Sequence, residues 1–148
     1  MEPRLKYTEL APEGFAAMRA LEHYLNTAAA LPATLQDLVR LLASRLNGCE
    51  YCIHLHQSEL RKMHETDDRI AGVTAWRDSD LYMQRERAAL AWTEAVTNIQ
   101  QGHAPDAIYN EVRSHFTDVE TVNLTLTITT INAWNRLAIS LGSHSNRG

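Results

Sequence analysis

The chain has 148 residues, 45% of them hydrophobic and 22% charged, and a formal net charge of −4. That is enough for one domain with a sizeable core, in the ordinary range of soluble globular proteins. The acidic balance argues against a nucleic-acid partner, which needs a basic face, and no apolar run is long enough to span a membrane.

A single domain is expected over residues 1–148. Met1-Glu2-Pro3-Arg4-Leu5-Lys6 lacks the apolar core of a signal peptide, so the expected compartment is the cytoplasm. Residues 1–11 read as an arm, either packed on a neighbouring subunit or disordered. Pro12 to about Thr27 reads as a helix with Phe15, Met18, Leu21 and Leu25 on one stripe. Pro32 suits the start of the next helix. Leu35, Leu38, Val39, Leu42 and Leu46 form its apolar face, and Asn47-Gly48 stops it. A third helix spans about Cys49 to Met63, with a polar far end at Ser58, Glu59, Arg61 and Lys62. Thr66 can cap a short helix to about Ala75, with Asp67 and Asp68 in its first turn and Ile70, Val73 and Trp76 buried.

Arg77 to Tyr82 reads as a loop. The next helix runs from about Gln84 to Ile99, burying Ala88, Ala91, Trp92, Ala95 and Ile99. Gly102-His103-Ala104-Pro105 breaks the chain, and Pro105 opens a helix whose core is Ile108 and Val112. Thr117-Asp118-Val119-Glu120 matches a capping box and starts the last helix. That segment holds a conflict. Val122, Leu124, Leu126 and Ile128 alternate with polar residues, which argues strand. The capping box, the set Val119, Val122, Leu126, Ala133 and Leu137, and Gly142 as a stop argue helix. The segment is also too long for a typical strand. One buried helix is therefore expected. Being apolar on most sides, it must be covered all round, which points to a subunit interface.

The chemistry concentrates in Asn47-Gly48-Cys49-Glu50-Tyr51-Cys52-Ile53-His54-Leu55-His56, which holds both cysteines of the chain. Helix positions three and four apart share a face, so Cys49, Cys52 and His56 line up. Cys49 falls in a first turn, where unpaired N–H groups favour a thiolate. A histidine can take the thiol proton, and a second thiol can resolve a sulfenic acid. Three readings stay open on the residues alone: a redox pair, part of a zinc site, or inert buried thiols. His54 points to another side of the helix, about 200° from Cys52. His23, His64, His103, His115 and His144 lack a cysteine neighbour and read as structural. No haem, flavin or nucleotide motif is present, so no bound cofactor is expected.

The same stretch, with Ala75-Trp76-Arg77, Arg85-Glu86-Arg87-Ala88-Ala89-Leu90-Ala91-Trp92 and Ile131-Asn132-Ala133-Trp134-Asn135-Arg136-Leu137, resembles the AhpD-like branch of the carboxymuconolactone decarboxylase family. The similarity runs from about Leu35 to Leu141. The resemblance implies an all-α bundle of about six to seven helices, homo-oligomeric as a dimer, trimer or hexamer. It implies thiol-dependent peroxidase or disulfide-exchange activity on a hydroperoxide, with a dithiol or dithiol protein as reductant. Family members carry a relay glutamate twelve positions before the first cysteine. Here that position is Asp37, one methylene shorter; a bridging water, or Glu50 in its place, would restore the reach, and a solvated surface charge is the competing reading.

The candidate site is thus Cys49, Cys52, His56 and Asp37. Cys52 attacks because it lies one turn from His56. Cys49, nearer the loop, resolves and is expected to meet the outside reductant. A lactone decarboxylase-type lyase and a non-enzymatic metal-binding module are the alternatives. Tyr51, between the cysteines, gates the site or packs. Arg85, Glu86 and Arg87 match the family but also suit a solvated ion-pair network.

Overall fold

The computed structural model describes residues 2–142; Met1 of the expected arm and His144 lie outside them. The described residues form eight α-helices and one 3₁₀ segment: α1 Tyr7–Leu10, α2 Pro12–Thr27, α3 Ala33–Asn47, α4 Glu50–Lys62, α5 Asp67–Gly72, the 3₁₀ segment Val73–Asp78, α6 Gln84–Thr97, α7 Asp106–His115 and α8 Asp118–Leu141. The all-α expectation holds. The alternating stretch in α8 is helical, because its capping box forms in full and Gly142 ends it in the left-handed region, at φ 71°. The expected arm carries the additional short helix α1. It is tied to its own chain: the Arg4 N–H donates to the Leu141 carbonyl at 2.7 Å.

The centre of the fold is α3, which packs against α4, α6 and α8. It is apolar on two sides, so it feeds two cores. Leu35 and Val39 join Ala89, Trp92, Leu124 and Ile128 from α6 and α8. Leu38, Leu41 and Leu42 join Leu60, Ile70, Val73 and Leu90 from α4, α5, the 3₁₀ segment and α6. Truncating a leucine sealed this way to alanine costs about 2–5 kcal/mol. Gly48 ends α3 at φ 71°, a conformation that penalises any residue with a Cβ. The turn it makes brings Cys49 directly onto the start of α4.

The three Ala-Trp pairs are packing devices between elements. The Trp76 indole N–H donates to Glu94 at 2.9 Å, that of Trp92 to Thr125 Oγ1 at 2.9 Å, and that of Trp134 to Glu22 at 3.2 Å. The Arg85-Glu86-Arg87 run is also structural, and more buried than a solvated network. Glu86 sits in the interior and is gripped by Arg69 at 2.5 Å. Burial pushes its pKa up, but the hydrogen bond and charge of Arg69 outweigh that and hold it below the ordinary glutamate value.

Several residues sit differently from the sequence expectation. Leu46 and Ile99 are exposed, Ile99 because α6 ends at Thr97. The expected loop from Arg77 is helical as far as Asp78, in the 3₁₀ segment. The largest change is in α8, where Val119 and Val122 are 67% and 59% exposed. The buried face instead carries Leu124, Ile128, Ile131 and Ala138 together with Thr121, Asn123, Thr127, Thr130 and Asn135. Thr121 and Thr127 hydroxyls donate to the carbonyls four residues back, at 2.8 and 2.9 Å. A hydroxyl satisfied within its own helix can be buried without an outside partner. The apolar face of Val119 and Val122, expected to be covered at a subunit interface, therefore lies on the surface of the single chain.

Candidate functional site

Cys49 and Cys52 are joined in a disulfide, with their Cα atoms 5.3 Å apart. Cys49 is the N-cap of α4 rather than a first-turn residue, and its Sγ accepts the Cys52 backbone N–H at 3.4 Å. A sulfur there faces the positive end of the helix. Both sulfurs are buried, but not equally. Cys49 is fully covered and packs with Ala138 of α8. Cys52 lines a cavity of about 610 Å³ together with His56, Tyr51, Leu55, Phe15 and Trp134. The structure thus reverses the expected accessibility: an outside molecule meets Cys52, because the turn at Gly48 tucks Cys49 beneath α8.

His56 is buried one turn beyond Cys52, and its Nδ1 lies 3.3 Å from Asp37 Oδ1. Asp37 is itself buried, which removes the reading as a solvated charge. The shorter side chain reaches His56 directly because α3 and α4 pack closely, with no bridging water required. Burial pushes the Asp37 carboxyl up, but the hydrogen bond and charge of His56, followed by the Arg40 guanidinium, hold its pKa below the ordinary aspartate value. An ionised carboxylate only accepts hydrogen bonds, so His56 Nδ1 carries the proton and donates. That fixes the neutral tautomer and leaves Nε2 as the acceptor.

Glu50 does not take that place. It lies on the exposed side of α4, 3.9 Å from His54. His54 is likewise exposed, as its helical angle predicted. Tyr51 is partly exposed at the cavity wall. His23 also lines the cavity, from α2, while His64 and His103 are exposed and His115 pairs with Glu111 at 3.1 Å. Among the described residues, no group of three or more His, Cys, Asp or Glu side chains is placed to hold a metal ion, and no helix is long and apolar enough to cross a membrane.

Two residues were missed by sequence reasoning. Arg40, buried on α3, donates to the same Asp37 Oδ1 at 3.0 Å and to Asn26 at 2.9 Å. Its other partner is Glu22 of α2, at 3.1 Å. The i, i+3 spacing of Asp37 and Arg40 was a usable signal. Glu22 had none, since its partner lies on another helix.

Comparison with known proteins agrees with the all-α fold. Residues 12–95 match the model of the carboxymuconolactone decarboxylase family. The chain is 39% identical to the uncharacterized protein YdfG of Bacillus subtilis over 145 residues, covering 98% of each. It superposes with a TM-score of 0.92 on ATU0492 of Agrobacterium tumefaciens, a protein of unknown function suggested to be the antioxidant defence protein AhpD; identity is 38% and coverage 97% of both chains. The debrominase Bmp8 shares the fold alone, with a TM-score of 0.84 at 19% identity, over 95% of this chain and 75% of that one.

Proposed function

Because the chain belongs to the carboxymuconolactone decarboxylase family and has an AhpD-like fold, we propose that it is a thiol-dependent oxidoreductase that reduces hydroperoxides. One observation carries this reading: a disulfide-paired cysteine and a carboxylate-held histidine share the wall of one cavity.

In the reduced protein, the Cys52 thiol passes its proton to His56 Nε2. The thiolate attacks the outer peroxide oxygen and the O–O bond breaks. The leaving alkoxide takes a proton and departs as the alcohol, and Cys52 becomes a sulfenic acid. The Cys49 thiol then attacks Cys52 Sγ, water leaves, and the disulfide closes. An outside dithiol restores both thiols in two exchange steps and leaves as its own disulfide. Because the cavity reaches Cys52, that dithiol attacks Cys52 Sγ. Cys49 departs as a thiolate at the helix N-cap, where the Cys52 N–H and the helix field favour its charge. Asp37 orients His56 and meets the charge the imidazole gains.

The test is peroxide consumption with dithiothreitol as reductant. Cys52→Ser should abolish it. Cys49→Ser should react once, leaving a sulfenic acid on Cys52 that mass spectrometry detects as a dimedone adduct. Sustained consumption by Cys52→Ser would overturn the reading. Lactone turnover by the protein lacking both thiols would instead support a lyase.

A further inference from the structure

We infer that Glu22 is a positioning residue of the proton relay, supplying through Arg40 the negative charge that a protonated His56 balances. This rests on the thiol reading above. The contacts run in series: Glu22 Oε1 to Arg40 Nη2 at 3.1 Å, Arg40 Nη1 to Asp37 Oδ1 at 3.0 Å, and Asp37 Oδ1 to His56 Nδ1 at 3.3 Å. The opposite oxygen of Glu22 accepts the Trp134 indole N–H at 3.2 Å. Glu22 is thereby held from two helices, α3 and α8, and is not a carboxylate that happens to drift near.

Counting charge shows what the second carboxylate does. Asp37 and Glu22 bring two negative charges, and Arg40 brings one positive. With neutral His56, the cluster carries one uncompensated negative charge in a largely buried place. The side chains of Arg40, Asp37 and His56 are 6%, 9% and 9% exposed, and that of Glu22 is 26% exposed. When the Cys52 proton moves to His56 Nε2, these four side chains sum to zero and the negative charge passes to the Cys52 sulfur, where it faces the imidazolium. Without the Glu22 charge, Asp37 and Arg40 would already cancel, and a proton on His56 would leave a buried positive excess. Charge is costly to bury uncompensated, so Glu22 favours the state in which Cys52 is a thiolate.

The remaining ionisable groups around the cavity do not substitute for it. From the N-terminal segment, Lys6 and Glu9 pair with each other at 3.6 Å, both exposed, and Tyr7 also lines the wall. From α2, Arg19 stands 5.8 Å over the Phe15 ring, and His23 is exposed. From α4 only Tyr51 joins them. The α8 wall is Ile131, Trp134 and Ala138, with no ionisable group. Exposed charges are screened by water and salt, so the buried series dominates.

The test titrates the thiol itself and needs no peroxide. The reduced protein is alkylated with iodoacetamide across pH, and the rate at Cys52 is read by peptide mass spectrometry. Glu22→Gln keeps the shape and one acceptor oxygen, which can still face Arg40, and removes the charge together with one of the two accepted hydrogen bonds. It should move the Cys52 midpoint up by about one pH unit, the size expected for one charge a few ångströms beyond the imidazole's partner. Glu22→Asp keeps the charge and should restore a midpoint near the unmodified protein. An unchanged or lowered midpoint in Glu22→Gln would overturn the inference. An equal rise in both variants would do so too, because it would mark Glu22 as a structural prop. If the unmodified protein fails to reduce peroxide, the proposed activity falls while this titration still reads the charge coupling.

Discussion

Replacing Asp37 with asparagine probes the relay at its centre. The variant keeps an oxygen that can accept from His56 Nδ1 and removes the charge 3.3 Å away. What is lost is the preference for imidazolium over neutral imidazole. A hydrogen bond to a charged group contributes about 1.5–3 kcal/mol, so Cys52 deprotonation, and peroxide reduction with it, should slow by about ten- to a hundred-fold. The fold should survive, because Arg40 retains Glu22 at 3.1 Å and Asn26 at 2.9 Å. A stability loss of about 2 kcal/mol corresponds to a fall in Tm of roughly 4–8 °C for a chain of this size. The assay is stopped-flow peroxide reduction at neutral pH, with circular dichroism to confirm the melting temperature. Rates within twofold of the unmodified protein, in a folded variant, would refute the role given to Asp37.

Stability should also fall in acid. Asp37 and Glu86 both have folded pKa values below their ordinary ones, so the stability they contribute is complete above the ordinary carboxylate range and is lost as pH falls through the folded values. Tm should drop on acidification below about pH 4, and less so in Glu86→Gln, which starts lower; parallel curves would contradict this. A homo-oligomer is expected from the outward apolar face of α8, where Val119 and Val122 stand exposed. Light scattering at micromolar concentration should show a dimer, trimer or hexamer, and Val122→Lys should shift it toward monomer; a monomer in the unmodified protein would refute the interface.

Helix positions were largely legible because their boundaries carry strong local chemistry. Pro12, the Thr117 to Glu120 capping box and Gly48 each act within one turn. Which face of α8 is buried was not legible. The rule that apolar residues face inward fails when threonines satisfy their hydroxyls on their own helix, as Thr121 and Thr127 do. Asn135 is buried for a related reason: Asn47 and Ser44 of α3 satisfy it, and nothing in its neighbourhood in sequence reveals them. At the site, Cys52 and His56 were readable from the spacing on α4, and Asp37 from the family resemblance. The burial of Cys49 depends on how Ala138 of α8 crosses the start of α4, which local sequence does not encode. Glu22 is hidden for the same reason.

The proposed activity rests on Cys49 and Cys52 cycling between thiols and disulfide, so the most direct measurement follows that cycle once. The fully reduced protein is mixed with one equivalent of an organic hydroperoxide, quenched by alkylation and weighed as peptides. The expected result is one alcohol released per chain and a Cys49–Cys52 disulfide closed within the same chain. Peroxide left unconsumed with both thiols still free to alkylate would contradict it.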